Sequence, residues 1–395
     1  MKKIFYSIMI FSQLLACRKM AIEPTSGPSP IPSWHDTSSA HPRNEIYKNL
    51  IEKYYRKGLP GISLLVNDQY GLWIGSVGKA DLERNINFET GQVSKIASIT
   101  KLMVGALIFK LFEDSARSGL GYHSLTLPIN TWIPHRISDK IPNGNEVTLG
   151  QLLKHESGIP DIAENDKFYL DVMNDPTKNW TPEELLKTIE GTDPIFKPGD
   201  TAIYSNTNTI LVSMIIEAST GRKHGDLLKE KIFEPLGMTH TYYQPYDPLP
   251  SNTAQGYFDL YNNEQLINVS NIITGSGNGF GGVFSNIFDM YTFLDALLLK
   301  KTLISEKSLS IMQTYGKSDG TNRYGYGIMK KFIDRGTNAG IGHSGRDLGY
   351  TANLLYFPSK NVSHAFLINY GTDNNSFLKQ VFLDFQKELL DITLQ

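Results

Sequence analysis

Ser98 and Lys101 are one helical turn apart and can act together in catalysis. Residues i and i+3 share a helix face, so a lysine amine in this position can take the proton of the serine hydroxyl and create a nucleophile. The start of a helix adds free backbone N–H groups and a positive dipole end, which favour an anionic intermediate. The pair therefore predicts acyl transfer through a covalent intermediate on Ser98.

The same spacing occurs elsewhere in the chain, so context has to select among the serines. Ser76 precedes Lys79 in a predicted strand, where residues i and i+3 point to opposite faces. Ser376 precedes the last predicted helix and is explained as its N-cap. Ser98 begins a long apolar helix that should be buried, where polar side chains are costly without a function. Ser98 is therefore favoured over the alternative of a capped surface helix.

Tyr204 and Asn206 follow a predicted turn and precede a helix. A tyrosine hydroxyl that faces Ser98 and Lys101 can move protons, and an asparagine amide can bind a substrate amide through both donor and acceptor. Taken alone, Tyr204 is better explained as a structural residue than as a catalytic one, because its spacing to an asparagine recurs at residues 47–49 and 261–263.

Residues 343–346 are predicted to be a strand edge that ends in a turn, with the sequence His343, Ser344, Gly345 and Arg346. Glycine allows a substrate backbone to approach closely. The backbone N–H of Arg346 is then the expected second donor, beside that of Ser98, for an oxyanion. Taken alone, His343 is explained as a surface or core histidine with its hydrogen bonds satisfied. A functional role is indicated only by its position in the chain after the other two motifs.

In this order, the motifs at 98–101, 204–206 and 343–345 resemble those of the penicillin-recognising serine hydrolases, which include β-lactamases, penicillin-binding proteins and related esterases. The resemblance extends over about residues 45–390. It implies a β-lactamase/transpeptidase-like α/β fold and an acyl-enzyme on Ser98. The catalytic set it implies is Ser98, Lys101 and Tyr204, and the substrate-binding set is Asn206, His343, Ser344, Gly345 and Arg346.

Within this family the sequence is most similar to secreted D-alanyl-D-alanine carboxypeptidases of the class C-related branch, on residues 204–208, 239–243 and 324–327. His343 stands where β-lactamases usually have lysine, which disfavours that activity. The resemblance also implies a cation for the terminal carboxylate of the substrate, and Lys330 and Arg346 are the candidates.

Two alternatives remain open at the level of sequence. An esterase or weak β-lactamase of the same fold shares every residue above. A non-catalytic, membrane-tethered sensor of cell-wall fragments or β-lactams needs no proton relay, so intact Ser98, Lys101 and Tyr204 count against it.

The elements that position these residues follow from hydrophobic periodicity. Helices are predicted at 44–57, 98–112, 149–154, 182–189, 209–220, 225–233 and 376–390, a hairpin at 62–66 and 72–77, and strands at 279–282, 324–328, 351–357 and 363–370. We expect one hydrolase domain at 44–395, in which both chain ends build an antiparallel sheet flanked by helices, with a mainly helical part inserted at about 98–255.

The composition is that of an ordinary globular enzyme, with 40% hydrophobic and 20% charged residues in 395. The formal net charge is −2, and no basic footprint indicates nucleic acid. The nine histidines show no paired spacing typical of metal ligands, so no metal or other cofactor is expected. The expected partner is a small peptide or ester substrate.

Residues 1–17 have the pattern of an export signal, with two lysines, an apolar stretch and then Cys17, the only cysteine. The tetrapeptide that ends at Cys17 resembles the lipobox of bacterial lipoproteins. Residues 18–43 are rich in proline and serine and are expected to form a polar tether without a core. The sequence thus predicts a lipid anchor at the outer face of a bacterial membrane, in the periplasm or at the cell surface, where peptidoglycan stem peptides are available.

Overall fold

The computed structural model describes residues 22–25, 38–372 and 376–395. The predicted signal segment and Cys17 therefore lie outside the described residues. The strands are β1 (Gly61–Asp68), β2 (Gly71–Asp81), β3 (Ile86–Asn87), β4 (Ser94–Lys95), β5 (Tyr242–Tyr243), β6 (Tyr257–Phe258), β7 (Ile267–Asn268), β8 (Val283–Ser285), β9 (Asn322–Tyr324), β10 (Met329–Lys331), β11 (Gly340–Asp347), β12 (Tyr350–Phe357) and β13 (Val362–Ile368).

The α-helices are α1 (Asn44–Arg56), α2 (Ile99–Glu113), α3 (Ser115–Ser118), α4 (His135–Ser138), α5 (Leu149–Leu153), α6 (Asp166–Asn174), α7 (Pro182–Leu186), α8 (Asn206–Thr220), α9 (His224–Leu228), α10 (Ile287–Leu294), α11 (Glu306–Met312) and α12 (Lys379–Thr393). Helices α9 and α10 continue as π-helical turns at Lys229–Phe233 and Asp295–Leu299. Within the described ranges, no helix is long and apolar enough to span a bilayer.

The main sheet is antiparallel and has the strand order β3-β2-β1-β13-β12-β11-β10-β9. Strands from opposite ends of the chain meet inside this sheet, because β1 pairs with β13 in a register that places Leu64 opposite Phe366. A two-residue turn joins β1 to β2. The predicted α/β fold, an antiparallel sheet built from both chain ends and flanked by helices, is confirmed.

The two faces of the sheet are covered by different helices. Residues of α1 and α12, among them Tyr47, Ile51 and Phe385, pack with Leu64 and Phe366 on one face. The other face packs against the larger core that contains α2, α8 and α10. Helix α2 is buried on nearly all sides, as expected for a helix that is apolar all round. This burial holds the residues at its N-terminus in a fixed place.

Two predicted strands are wrong. Residues 279–282 and 325–328 are turns and bends, and the strands lie beside them at Val283–Ser285, Asn322–Tyr324 and Met329–Lys331. The reason is backbone conformation. Gly279 and Gly282 have φ of +92° and Gly327 has φ of +77°, values that a strand does not allow.

The prediction that Ser376 caps the last helix is also wrong. Helix α12 begins at Lys379, and Leu378 precedes it without a side-chain cap. The Ser376 hydroxyl instead hydrogen-bonds the Tyr370 hydroxyl.

The described parts of the predicted tether pack onto the domain, which corrects the expectation of a segment without a core. Ile22 is buried against Val93, Phe284 and Tyr350. Its N–H donates to Asn271 Oδ1 at 2.7 Å. Apolar burial and backbone hydrogen bonds to the domain, which a proline-rich composition does not reveal, hold residues 22–25 in place.

Candidate active site

Ser98 stands immediately before α2, at the end of a strained turn. The preceding residue, Ala97, has φ of +48°, a conformation that residues with a side chain rarely adopt. The turn follows β4, whose short pairing with β8 fixes the approach of the chain. Such strain persists only where the surroundings enforce it, and here it places the serine hydroxyl at the mouth of a cleft.

Lys101 Nζ lies 3.0 Å from Ser98 Oγ. It also contacts Asn206 Oδ1 and Phe280 O, each at 2.7 Å. Burial lowers the pKa of Lys101 to about 7, although the nearby charges of Asp161 and Asp347 act in the opposite direction. A substantial fraction of the amine is therefore neutral near pH 7 and able to accept a proton.

The hydroxyl of Tyr204 is buried, and no partner within the described ranges hydrogen-bonds it. Burial raises the pKa of this phenol, and the neighbouring Ser98 hydroxyl offsets part of the effect. Tyr204 therefore keeps its proton near neutral pH. Lys101 Nζ lies 4.9 Å from the centroid of its ring. A buried hydroxyl without a partner beside the nucleophile is well placed to donate to a substrate atom.

The His155 ring stacks on the Tyr204 ring, with the two ring centroids 4.5 Å apart. Its Nδ1 accepts hydrogen bonds from Ser205 N and Asn208 Nδ2, both at 3.1 Å. Burial lowers the pKa of His155 to about 3, so the ring is neutral. The sequence analysis did not single out His155, since a single histidine without a second one at a defined spacing carries no signal.

The third motif lies on β11, next to the Ser98 turn. A Cβ at Gly345 would lie 2.0 Å from Ile96 O, so only glycine permits this approach. Strand β10 pairs with residues 340–342 of β11. Beyond them, this side of β11 has no strand partner in the described part of the chain, and an extended substrate can pair there.

His343 is buried, and its Nδ1 donates to Ser344 O at 2.6 Å. Burial lowers the pKa of His343 well below its usual value. The ring is therefore neutral, and the positive charge that a lysine would supply at this position is absent.

The predicted site residues converge on one cleft of about 340 Å³. Those that line it are Ser98, Tyr204, Asn206, His343, Ser344 and Arg346, while Lys101 lies beneath Ser98 and Gly345 sets the spacing of the strand. The amide of Asn206 is engaged at both ends, since Nδ2 donates to Asp161 Oδ2 at 2.9 Å and Oδ1 accepts from Lys101. Asn206 thus positions the lysine.

Lys330 does not line the cleft, which corrects its prediction as a carboxylate-binding cation. Its Nζ lies 6.0 Å from the ring centroid of Tyr315. Lys331, the next residue of β10, lines the cleft and donates from Nζ to Ser344 Oγ at 2.9 Å. Burial lowers the pKa of Lys331 to about 8. Strand alternation explains the exchange, because Met329 and Lys331 share one face and Lys330 lies on the other.

A family model described as Beta-lactamase matches residues 47–386. The chain belongs to the beta-lactamase family. The predicted resemblance is confirmed, and the family is one of serine acyl-transfer hydrolases. The D-alanyl-D-alanine-carboxypeptidase/endopeptidase AmpH of Escherichia coli K12 is 25% identical to this beta-lactamase family member over 345 residues, which cover 82% of this chain and 84% of AmpH.

Solved structures agree on the fold of this beta-lactamase family member. A D-stereospecific amidohydrolase from Streptomyces sp. superposes with a TM-score of 0.71 at 25% identity, covering 85% of this chain and 96% of its own. The D-amino acid amidase from Ochrobactrum anthropi SV3 superposes with a TM-score of 0.74 at 22% identity, covering 88% and 98%.

Proposed function

We propose that the protein is a D-alanyl-D-alanine carboxypeptidase that acts on cell-wall stem peptides through an acyl-enzyme on Ser98. The observation that carries the proposal is Lys331, whose ammonium lies in the cleft on the Ser344 hydroxyl. The ammonium hydrogen-bonds the Ser344 hydroxyl, and the charge of Asp319 in the same cleft acts on it without a direct ion pair among the described residues. A cation beside the substrate strand that no direct carboxylate contact neutralises suits the terminal carboxylate of a peptide. The name of the relative AmpH supports the same substrate class.

In the proposed acylation, neutral Lys101 accepts the proton of Ser98, and Ser98 Oγ attacks the carbonyl carbon of the penultimate residue. The backbone N–H groups of Ser98 and Arg346 hold the oxyanion, each contributing roughly 3 kcal/mol to lowering the barrier. The Tyr204 hydroxyl protonates the departing amine of D-alanine as the C–N bond breaks. Lys101 then returns its proton to Tyr204, so both groups regain their starting states.

Deacylation runs through the same groups. Water loses a proton to Lys101 and attacks the ester carbonyl, and the proton returns to Ser98 Oγ as the ester bond breaks. His155, stacked on Tyr204, fixes the ring that moves protons in acylation.

A substrate panel tests the proposal. Purified protein is compared on an acylated Lys-D-Ala-D-Ala peptide, the same peptide with a C-terminal amide, a nitrophenyl ester and a chromogenic cephalosporin. The free-carboxylate peptide should have the highest kcat/KM, with the amide at least about tenfold lower. Ester cleavage without carboxypeptidase activity contradicts the proposal in favour of an esterase, and fastest turnover of the cephalosporin favours a β-lactamase. A stable Ser98 adduct without turnover of any substrate favours the sensor.

A D-stereospecific amidase is the second candidate, favoured by the likeness to the Streptomyces amidohydrolase. Such a substrate ends in an amide and has no carboxylate for Lys331. Faster release of ammonia from a D-amino acid amide than of D-alanine from the peptide would select this candidate.

We also propose export and lipid anchoring at Cys17, on the strength of the charged start, the apolar stretch and the lipobox-like tetrapeptide. Detergent phase partitioning of the full chain tests this. Wild type should enter the detergent phase and Cys17→Ala the aqueous phase. Wild type in the aqueous phase contradicts the anchor.

A further inference from the structure

A buried chain of hydrogen bonds lies behind the loop that contacts Lys101. Glu217 Oε1 hydrogen-bonds His224 Nδ1 at 2.7 Å, and His224 Nε2 hydrogen-bonds the Tyr243 hydroxyl at 2.8 Å. The Tyr243 oxygen in turn accepts the N–H of Gly279 at 2.9 Å. His224 and Tyr243 are each 1% exposed. None of these four residues lines the cleft, and the mechanism above does not use them.

The donors and acceptors fit in one direction. Because the Tyr243 oxygen accepts the Gly279 N–H, its own proton is available to His224 Nε2, and the proton on Nδ1 faces the carboxylate of Glu217. Burial raises the pKa of Tyr243 well above its usual value, so the hydroxyl keeps its proton. Burial alone would raise the pKa of Glu217, but hydrogen bonds from His224 and Lys223 lower it to about 2, so the carboxylate is charged.

Gly279 connects these hydrogen bonds to the active site. With φ of +92° it packs tightly on α8, where a Cβ would lie 2.8 Å from Thr209 O. One residue later, Phe280 O accepts a hydrogen bond from Lys101 Nζ at 2.7 Å. The amide that Tyr243 holds and the carbonyl that orients the lysine therefore belong to two consecutive residues.

Helix α8 connects both acceptors of Lys101. Asn206 begins the helix, and Glu217 lies in its last turn. Asn206 binds Lys101 directly, and Glu217 reaches it through His224, Tyr243 and the loop at residues 279–280. A displacement of Phe280 O would leave one N–H of the amine without an acceptor and free the amine to rotate.

We propose that Glu217, His224 and Tyr243 are positioning residues that hold the carbonyl of Phe280 against Lys101, so that the lone pair of the neutral amine stays directed at Ser98. The inference rests on acyl transfer at Ser98 as proposed above, but on no particular acyl donor. It gives a role to Tyr243, the second of the two tyrosines in the segment 239–243, which the catalytic steps leave unexplained.

The chain offers a matched pair of variants. Tyr243→Phe removes the hydroxyl and leaves the Gly279 N–H without its acceptor. Tyr246→Phe is the control, because the Tyr246 ring stacks on Tyr243 at 5.4 Å and no residue in the described ranges hydrogen-bonds its hydroxyl. Thermal unfolding of both variants confirms that they fold before any kinetic comparison.

The first readout is the pH profile of Ser98 acylation by a fluorescent penicillin and by a nitrophenyl ester. The groups that face Lys101 and influence this profile are Ser98, Tyr204, Asn206, Asp161, Asp347, His155, His343 and the Phe280 carbonyl. Tyr243→Phe should lower the plateau rate about fivefold, the effect of one hydrogen bond. It should also shift the acid limb about 0.5 pH unit lower, because a carbonyl acceptor stabilises the ammonium.

Tyr246→Phe should change neither the plateau rate of acylation nor the pH of the acid limb. A folded Tyr243→Phe variant with the wild-type profile overturns the proposal. His224→Asn should slow acylation to a similar degree, and the double variant should be no slower than either single variant, because all three break the same chain. If the losses in acylation rate of the two single variants add up in the double variant, the proposal is overturned.

The second readout is hydrogen exchange of the peptide that contains Gly279, which needs no activity. Exchange should accelerate in Tyr243→Phe and stay at the wild-type rate in Tyr246→Phe. Equal hydrogen-exchange rates of this peptide in the two variants overturn the proposal. Failure of this inference can be distinguished from failure of the proposed function. Wild type that is acylated at Ser98 but does not cleave D-Ala-D-Ala peptides contradicts the carboxypeptidase activity and does not affect the positioning role of Glu217, His224 and Tyr243.

Discussion

The Nζ of Lys101 lies 3.0 Å from Ser98 Oγ and is held there by two carbonyl-type acceptors, Asn206 Oδ1 and Phe280 O, at 2.7 Å each. A neutral amine has two N–H bonds and one lone pair. When both N–H bonds are directed at the two acceptors, the lone pair faces the serine hydroxyl. This geometry suits Lys101 to act as the base in the proposed acylation step.

Acylation should depend on pH through Lys101. Burial lowers the pKa of this lysine to about 7, and the neutral form is the active one. The acylation rate constant should therefore rise with pH through a midpoint near 7 and level off above it. Stopped-flow measurement with a reporter β-lactam between pH 5 and 9 gives the midpoint. A rate that is flat across this range contradicts the assignment.

Lys101→Met should lower the acylation rate by about 10²–10⁴-fold, the usual contribution of a positioned base. The same change should stabilise the fold, because the folded state keeps this lysine at a pKa of about 7 against 10.5 in the free side chain. The folded state then binds fewer protons than the unfolded state between these values, so the cost is largest below pH 7 and vanishes above pH 10.5. We expect a Tm about 2 °C or more above wild type at pH 7, with the difference shrinking at pH 10.

Lys331→Gln should lower kcat/KM about 10–100-fold for a peptide with a free terminal carboxylate, which loses a charged hydrogen bond. A nitrophenyl ester without that carboxylate should be hydrolysed at the wild-type rate. Lys330→Gln is the matched control, since the neighbouring side chain lies on Tyr315 outside the cleft. Equal losses on both substrates would show that Lys331 supports the site and does not bind the carboxylate.

The same lysine predicts a pH effect on binding. Burial lowers the pKa of Lys331 to about 8, and only its ammonium form attracts a carboxylate. KM for the peptide should therefore rise above pH 8, and KM for the ester should not. Peptide and ester kinetics at pH 7 and pH 9 check this, with Lys331→Gln expected to abolish the difference.

A buried ion pair ties the nucleophile turn to the substrate strand. Lys95 Nζ, on β4, lies 2.7 Å from Asp347 Oδ2, at the end of β11, and the two side chains are 5% and 10% exposed. Asp347→Asn leaves the ammonium buried without its partner and should destabilise the protein by about 3–5 kcal/mol. The double variant Lys95→Met/Asp347→Asn should regain most of that loss. Urea unfolding of the variants measures both effects, and equal stability of the single and double variants would contradict the role of the pair.

Local patterns in the sequence were sufficient to place Ser98 and Lys101 on one turn at the start of a helix and to predict the elements around them. Helical periodicity correctly placed α1 and α2, and turn residues predicted the β1–β2 hairpin. The position of Ser98 at the start of an apolar helix favoured it over Ser76, which lies in β2 as expected. These features depend on residues close in sequence, so spacing reveals them.

Long-range contacts were beyond this reasoning. The exchange of Lys330 for Lys331 depends on how β10 pairs with β9 and β11, and the turn that joins β9 to β10 at residues 325–328 was predicted as strand. The pair Lys95–Asp347 joins residues far apart in the chain. The same holds for the hydrogen bonds that link Glu217 to Gly279 through His224 and Tyr243. They form only after α8, α9 and β5 have packed.

The most direct test of the account is the site of covalent acylation. The full chain is exposed to penicillin at pH 8, where Lys101 is mostly neutral, and the protein is analysed by intact mass and peptide mapping. Acylation of Ser98 with Lys101 as base predicts one added penicillin mass on the peptide that contains Ser98, absent in Ser98→Ala and formed much more slowly in Lys101→Met. No adduct on the wild type, or an adduct that persists in Ser98→Ala, would contradict it.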